Sequence, residues 1–298
     1  MLVLLLAWPV GLAVWADGRL RHVAALSDAA ATPGTTYLLA GSDERPADDG
    51  DGTEGARADT IMLLHVPTSG PTALISIPRD SYVEIPGHNA SKINAAYAWG
   101  GPSLLVATVE QLTGMTVDHF VEVGFGGVQG IVDALGGVTL CSELDVTDPM
   151  TGLVWTPGCH AVDGKTALDF ARMRYVDPQG DVGRALRQRE VISQVTSAAA
   201  TPATLFSPGR QVGLVEAGTD ALVVDDGTGI IDLGQLALAF RRATSPEGVT
   251  GTPPLRSLDY RPGGVGSTVQ LDPEQTPGFF RAVQDGTLPP GQVGGVPG

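Results

Sequence analysis

The stretch that decides the fold is RADTIMLLHVPTSGPTALISIPR, residues 57–79. Two short, nearly continuous apolar runs, Ile61–Val66 and Ala73–Ile77, flank the turn signal Pro67-Thr68-Ser69-Gly70-Pro71. Runs of that length, bounded by Gly and Pro, predict sheet strands covered on both faces. If they pair as a hairpin about the turn, Asp59 and Arg79 are equidistant from Ser69 and meet at its open end. A third run, Tyr37-Leu38-Leu39-Ala40, comes earlier; if it lies parallel to the Ala73 strand, the turn carrying Asp43 emerges at the same edge. Asp43 and Asp59 would then lie within reach of one hard cation. Charge thus gathers where strands end: Asp43 and Arg45, Arg57 and Asp59, and Arg79.

Working outward, helical patterns alternate with further strands. Leu104, Leu105, Thr108, Val109 and Leu112 recur at helical spacing, with Gly114 placed to end that helix. A strand near His119–Val123 is followed by a helix over about 127–135 that stops at Gly136-Gly137. Asp163 is a good N-cap for a helix running toward Arg172, and a longer helix starts near Val182. The last third offers an amphipathic stretch, Leu233–Arg242, a strand over Thr268–Leu271 and a helix around 278–283. Together these predict a packed α/β domain. From Thr287 the chain is rich in Pro and Gly, and residues 287–298 are expected to form a disordered tail.

Composition narrows the function. With 298 residues, 43% hydrophobic and 17% charged, the chain can bury a sizeable core. A net charge of -15 excludes a general nucleic-acid surface, so any anion site must be local. Of 18 basic residues 16 are Arg, and guanidinium forks suit bidentate phosphate contacts, although codon bias accounts for most of the excess. Residues 1–16 carry no charge and read as an N-terminal membrane anchor, somewhat short of the ~20 residues that span a bilayer. Cleavage after Ala16 is the alternative, which the bulk of Trp15 disfavours, and a start codon placed late explains the missing basic flank. Residues 17–34 read as a polar, Ala-rich stalk, so the body is expected outside the cell. Cys141 and Cys159, the two cysteines, fit that compartment as one structural disulfide worth ~3 kcal/mol.

A second charge cluster follows the Asp163 helix: Arg172-Met173-Arg174, then Asp181-Val182-Gly183-Arg184-Ala185-Leu186-Arg187-Gln188-Arg189. On a helix Arg184 lies beside Arg187 and Gln188, giving a donor-rich face. Taken alone, this cluster is read equally well as a solvated helix face.

Five segments in order, LLAGSDERP (38–46), ARADTIML (56–63), ISIPRDS (75–81), SKINAAYAWGG (91–101) and ALDFARMRYVDPQGDVGRALRQRE (167–190), resemble the successive signatures of the LytR-CpsA-Psr family. The cysteine pair resembles that of actinobacterial members. The resemblance covers at least 37–195 and implies a single LytR-CpsA-Psr domain over 35–286, with a central mixed sheet covered by helices. It implies a phosphotransferase that moves a glycopolymer from a polyprenyl-pyrophosphate carrier to peptidoglycan, anchored in the cell membrane by one span with its catalytic domain extracytoplasmic. Arg79, Arg172, Arg174, Arg184 and Gln188 would hold the pyrophosphate, with Arg57, Arg187 and Lys92 beside it, and Asp43 and Asp59 would hold Mg²⁺. The acceptor's proton would pass to Asp80 or Asp181, the latter preferred as an orienting group.

Other signals carry less. Gly124–Gly130 misses dinucleotide-loop spacing because Gln129 stands where the last glycine belongs, and reads as a turn. His22, His65, His88, His119 and His160 show no ligand spacing; His65, inside an apolar strand, reads as a satisfied core residue. Two other functions compete with glycopolymer transfer: a pyrophosphatase using water at the same site, and a non-catalytic lipid-glycan binding module, which would have no need of Asp43 and Asp59.

Overall fold

A computed structural model describes residues 2–43, 57–173 and 180–295. In chain order the elements are α1 (Leu2–Asp17), β1 (Arg21–Val23), β2 (Thr35–Asp43), β3 (Arg57–Val66), β4 (Ala73–Ser76), β5 (Tyr82–Val83), β6 (Ser91–Lys92), α2 (Ile93–Thr113) and β7 (His119–Gly124). There follow α3 (Phe125–Leu135), β8 (Val138–Ser142), β9 (Val146–Thr147), β10 (Val154–Trp155), β11 (Gly158–Val162), α4 (Gly164–Arg172), α5 (Gly180–Ala199), α6 (Pro202–Leu205) and α7 (Pro208–Ala221). The chain closes with β12 (Leu222–Asp225), α8 (Ile230–Ala243), β13 (Val249–Tyr260), β14 (Thr268–Leu271), α9 (Thr276–Gln284) and β15 (Gly291–Gly295). The chain divides into two compact units.

The larger unit, residues 22–122, 223–228 and 232–298, is built on a mixed sheet in the order β1-β12-β7-β2-β3-β4-β13-β14, with β15 also on β13. β3 and β4 form the expected hairpin, β2 pairs antiparallel to β3 and so runs in the same direction as β4, and β13 lies parallel to β4. Ile61, Leu63 and Ile75 point into a core with Ile93, Leu105 and Val109 of α2 and Phe280 of α9. Met62, Leu64 and Leu74 on the other face are buried as well, which is why the runs read as unbroken apolar. Gly114 ends α2 in the left-handed conformation, its N–H on the Glu110 carbonyl.

Two expectations are corrected in this unit. The stalk is folded in: Arg21–Val23 is a strand of the sheet, Ala25 is buried, and the carbonyls of Ala24 and Ala30 accept from Ser103 and Thr116. The tail is ordered through 295, where β15 pairs in parallel with β13, Val249 opposite Gly291. A Gly-rich strand shows no side-chain alternation, so its backbone pairing escapes pattern reading.

The smaller unit holds residues 1–21, 123–222 and 229–231. Its core joins Val132, Leu140, Trp155, Phe170 and Val191, with the Trp155 and Phe170 rings 4.6 Å apart. Cys141 and Cys159 face each other across β8 and β11 and form the expected disulfide. Asp163 caps α4, its carboxylate accepting from the Thr166 N–H. Of the glycines read as a turn, Gly124 ends β7 while Gly126, Gly127 and Gly130 lie on α3, the last two within the helix expected there; at Gly127 smallness serves packing, since a Cβ would come within 2.1 Å of the Ala221 Cβ. Helix α1 is apolar all round and Trp8 donates to the Gln211 side chain on α7, but among the described residues no helix is long and apolar enough to cross a membrane.

Candidate functional site

The hairpin delivers its two charged ends to one place. β3 and β4 pair with Met62 opposite Ser76, and the Ile77 N–H still donates to the Ile61 carbonyl, so Arg79 arrives level with Asp59. Its Nη1 donates to Asp59 Oδ1 at 2.5 Å. On the other side Arg79 Nε stands 3.8 Å from Asp80 Oδ2, and Lys92 Nζ is 3.0 Å from Asp80 Oδ1. The result is an alternating row, Asp59, Arg79, Asp80, Lys92, whose side chains retain between 16% and 29% exposure. Neighbours of opposite sign fix one another's orientation while one side stays open to a ligand.

Asp59 is set apart by the backbone as well. β2 and β3 pair Gly41 with Thr60, then Ser42 with Ala58 and Asp43 with Arg57, so Asp59 is the extra residue of a β-bulge. Bulges re-aim a side chain at the end of a ladder. The same register sets Asp43 and Arg57 at this end of the sheet; their side chains lie outside the described part of the structure, as do Arg174 and the side chain of Asp181.

The loop that carries Arg79 and Asp80 is clamped from three directions. The Ser81 N–H donates to Pro78, the Asp80 carbonyl accepts from Val269, and the first amides of α2, those of Ile93 and Asn94, donate to Ser81 and Arg79. Tyr82 and Lys92 pair across the short β5–β6 ladder. Arg79, Asp80, Ser91, Lys92 and Asn94 thereby line one cavity of about 500 Å³, which the exposed Trp99 also borders. That volume is in the range of small-molecule sites, ~300–1,000 Å³. Trp99 has a signal that pattern reading passed over: an aromatic residue directly before Gly-Gly-Pro.

In the smaller unit the second arginine cluster departs from a solvated helix face. Arg184, Arg187, Gln188 and Arg189 on α5 are all buried, and each of the three arginines has a partner. Arg187 donates through Nε to the Phe170 carbonyl at 3.0 Å and through Nη2 to Met173, with its guanidinium 6.0 Å from the centre of the Phe170 ring. Those carbonyls end α4, so two of the five Arg187 donors cap a helix C-terminus. Burial pushes the pKa of Arg189 down. Arg172 stays exposed in the last turn of α4.

His65 is the satisfied core residue expected. Its Nδ1 meets the Thr36 hydroxyl at 3.0 Å and its Nε2 the Gln284 carbonyl at 3.2 Å, so Nε2 must carry the proton and Nδ1 accept. Burial lowers its pKa. Among the described residues no group of three or more His, Cys, Asp or Glu gathers to hold a metal.

The model of the LytR_cpsA_psr family matches residues 16–223, more than half of the chain. The chain belongs to this family. LcpB of Corynebacterium glutamicum, a probable cell wall biosynthesis protein, is 42% identical over 264 residues, which is 85% of this chain and 63% of LcpB. TagU of Bacillus cereus, a polyisoprenyl-teichoic acid–peptidoglycan teichoic acid transferase, is 40% identical over 176 residues, 58% of this chain and 55% of TagU. The chain thus spans between half and two thirds of the length of these curated relatives. Among solved structures, TagT bound to LIIa-WTA matches with a TM-score of 0.66 at 25% identity, over 88% of this chain and 98% of that one. Bacillus subtilis TagV matches in fold, with a TM-score of 0.69 at 22% identity over 87% and 98%. The LytR-CpsA-Psr fold, a central mixed sheet with helices, is the one expected.

Proposed function

We propose that this LytR-CpsA-Psr protein is a membrane-attached, extracytoplasmic phosphotransferase that moves a glycopolymer from a polyprenyl-pyrophosphate carrier onto a peptidoglycan hydroxyl. The row Asp59, Arg79, Asp80, Lys92 at the edge of the 500 Å³ cavity carries the reading. Phosphoryl transfer needs little covalent chemistry from a protein; it needs positioning and neutralised charge. Arg79, braced by a carboxylate on either side, is suited to hold a phosphate without reorganising. In the reaction, the acceptor oxygen bonds to the sugar-linked phosphorus, the bond to the polyprenyl phosphate breaks, and that phosphate leaves. The hydroxyl proton passes to the Asp80 carboxylate. The product is a phosphodiester. Arg172, Arg174, Arg184 and Gln188 are further phosphate donors that the family motif implies.

Two carboxylates are donors of the kind Mg²⁺ takes. It takes one or two carboxylates and completes its octahedron with water and phosphate oxygens rather than with an all-protein cage. Asp43 and Asp59, at adjoining strand ends, would hold it, and it would offset phosphate charge. The names of LcpB and TagU and the ligand of TagT support the substrate class. The all-round apolarity of α1 supports membrane attachment.

Purified protein with Mg²⁺, a radiolabelled polyprenyl-pyrophosphate glycan and peptidoglycan should yield labelled wall. Arg79→Ala or Asp59→Asn should lower transfer by ~10²–10³-fold, the loss typical of one transition-state donor, and chelation should abolish it until Mg²⁺ is returned. Transfer indifferent to both substitutions would sink the site. Release of polyprenyl phosphate with no glycan attached would make the protein a hydrolase instead.

A further inference from the structure

We infer that the cavity beside Asp80 is a subsite for a pyranose ring, with the Trp99 indole as the platform on which the ring lies. The inference rests on the phosphotransfer reading only for which glycan supplies the ring. A pyranose has an apolar face of C–H groups and a rim of hydroxyls, so its site needs a flat apolar surface with polar groups set around it. Trp99 supplies the surface: it is 49% exposed and borders the cavity. Ser91, Asn94, Lys92 and Asp80 supply the polar rim. A prenyl tail would call for apolar walls throughout. Asp80 and Lys92 offset each other at 3.0 Å, which suits an uncharged or acetamido sugar.

A lone exposed tryptophan is ordinary on a protein surface. This one is held in place by backbone on one side and a ring on the other. Trp99 closes the first segment of α2, directly before a break at Gly100 and Gly101. Gly101 has φ 62° and ψ -155°, a conformation open in practice to glycine alone, and Pro102 opens the second segment. A Cβ on Gly100 would come within 2.6 Å of Leu104 Cβ, so the close approach of Leu104 at the break also calls for a glycine. Against the indole sits the His88 ring, 5.0 Å away between centres. His88 is placed by a turn in which its N–H donates to the Ile85 carbonyl at 3.0 Å, with Pro86 second and Gly87, at φ 75°, third. An aromatic surface fixed before binding loses little freedom when a ligand arrives. Arg79 and Asp80 border the same cavity, so the ring would lie next to the reacting phosphate, as the first sugar of the donor or as the acceptor sugar.

The experiment uses the whole protein in detergent with two probes, polyprenyl-pyrophosphate-linked glycan and the disaccharide N-acetylglucosaminyl-N-acetylmuramic acid. Binding is followed by saturation-transfer NMR and transfer by radiolabel. Trp99→Ala should raise the Kd or KM of one probe by about tenfold or more, while Trp99→Phe, which keeps a flat ring, recovers most of the loss. A shift for the glycan-lipid assigns the ring to the donor, and a shift for the disaccharide assigns it to the acceptor. Trp99→Leu keeps apolar bulk without a flat face, so a defect equal to that of Ala in a protein that melts normally separates stacking from folding. Unchanged constants for both probes in Trp99→Ala and Trp99→Leu overturn the subsite. Trp99-dependent disaccharide binding without any transfer would keep the subsite and remove the phosphotransfer reading; transfer indifferent to Trp99 would do the reverse.

Discussion

The hairpin end that holds Arg79 and the helix that holds Arg187 put the same residue type to opposite uses. Arg79 keeps 19% exposure and is braced by Asp59 and Asp80, charge against charge, beside a cavity. Arg187 is buried and turns two donors onto the carbonyls that end α4. A guanidinium braced by carboxylates at a surface is available to an anion, whereas one capping a helix is part of the fold. Arginine count and helical spacing therefore locate donors without saying which of them a substrate can use.

The sharpest way to break this comparison is to remove each arginine in turn. Arg79→Ala should cost transfer its ~10²–10³-fold with little change in melting, whereas Arg187→Ala should lower stability by about 2 kcal/mol, the range of hydrogen bonds made by a charged group. Denaturant melts and transfer rates on both variants check this, and a reversed pattern would refute it. A second test asks whether the smaller unit depends on its covalent tie. Replacing both cysteines by serine should cost ~3 kcal/mol for a loop with a sequence separation of 18, read as earlier unfolding of tryptophan fluorescence from Trp155. The smallest effect concerns the larger unit. Because burial lowers the pKa of His65, the unfolded chain binds the proton more readily, so stability is full above about pH 6.5 and falls as pH drops below it. His65→Gln should flatten the stability profile between about pH 6.5 and 4.5, leaving the carboxylate-driven loss at lower pH.

Much of the larger unit was legible because strands obey counting. Equal distances from Ser69 place Asp59 against Arg79, and they are joined there. The caps at Gly114 and Asp163 were legible for a similar reason, since one residue's conformation or side chain satisfies the helix end. Pairing that rests on backbone alone was not: β15 and β1 carry no side-chain alternation to announce them. The burial of Arg184, Arg187 and Arg189 on α5 escaped too, because spacing reports which residues share a face and not what covers it. Trp99 lay inside a family motif, but its standing as an exposed surface follows from the break at Gly100 and Gly101, which is a property of dihedral angles.

The bulge at Asp59 has a consequence for how the site could have arisen. Thr60 pairs with Gly41 and Ala58 with Ser42, so the ladder is continuous on both sides of Asp59 without including it. Excise that one residue, and every partner on either strand would remain opposite the same neighbour. The sheet has no use for it. Asp59 is a supernumerary position, inserted between two pairs that are complete without it, and selection for a grip on Arg79 can keep or discard it without renegotiating the architecture.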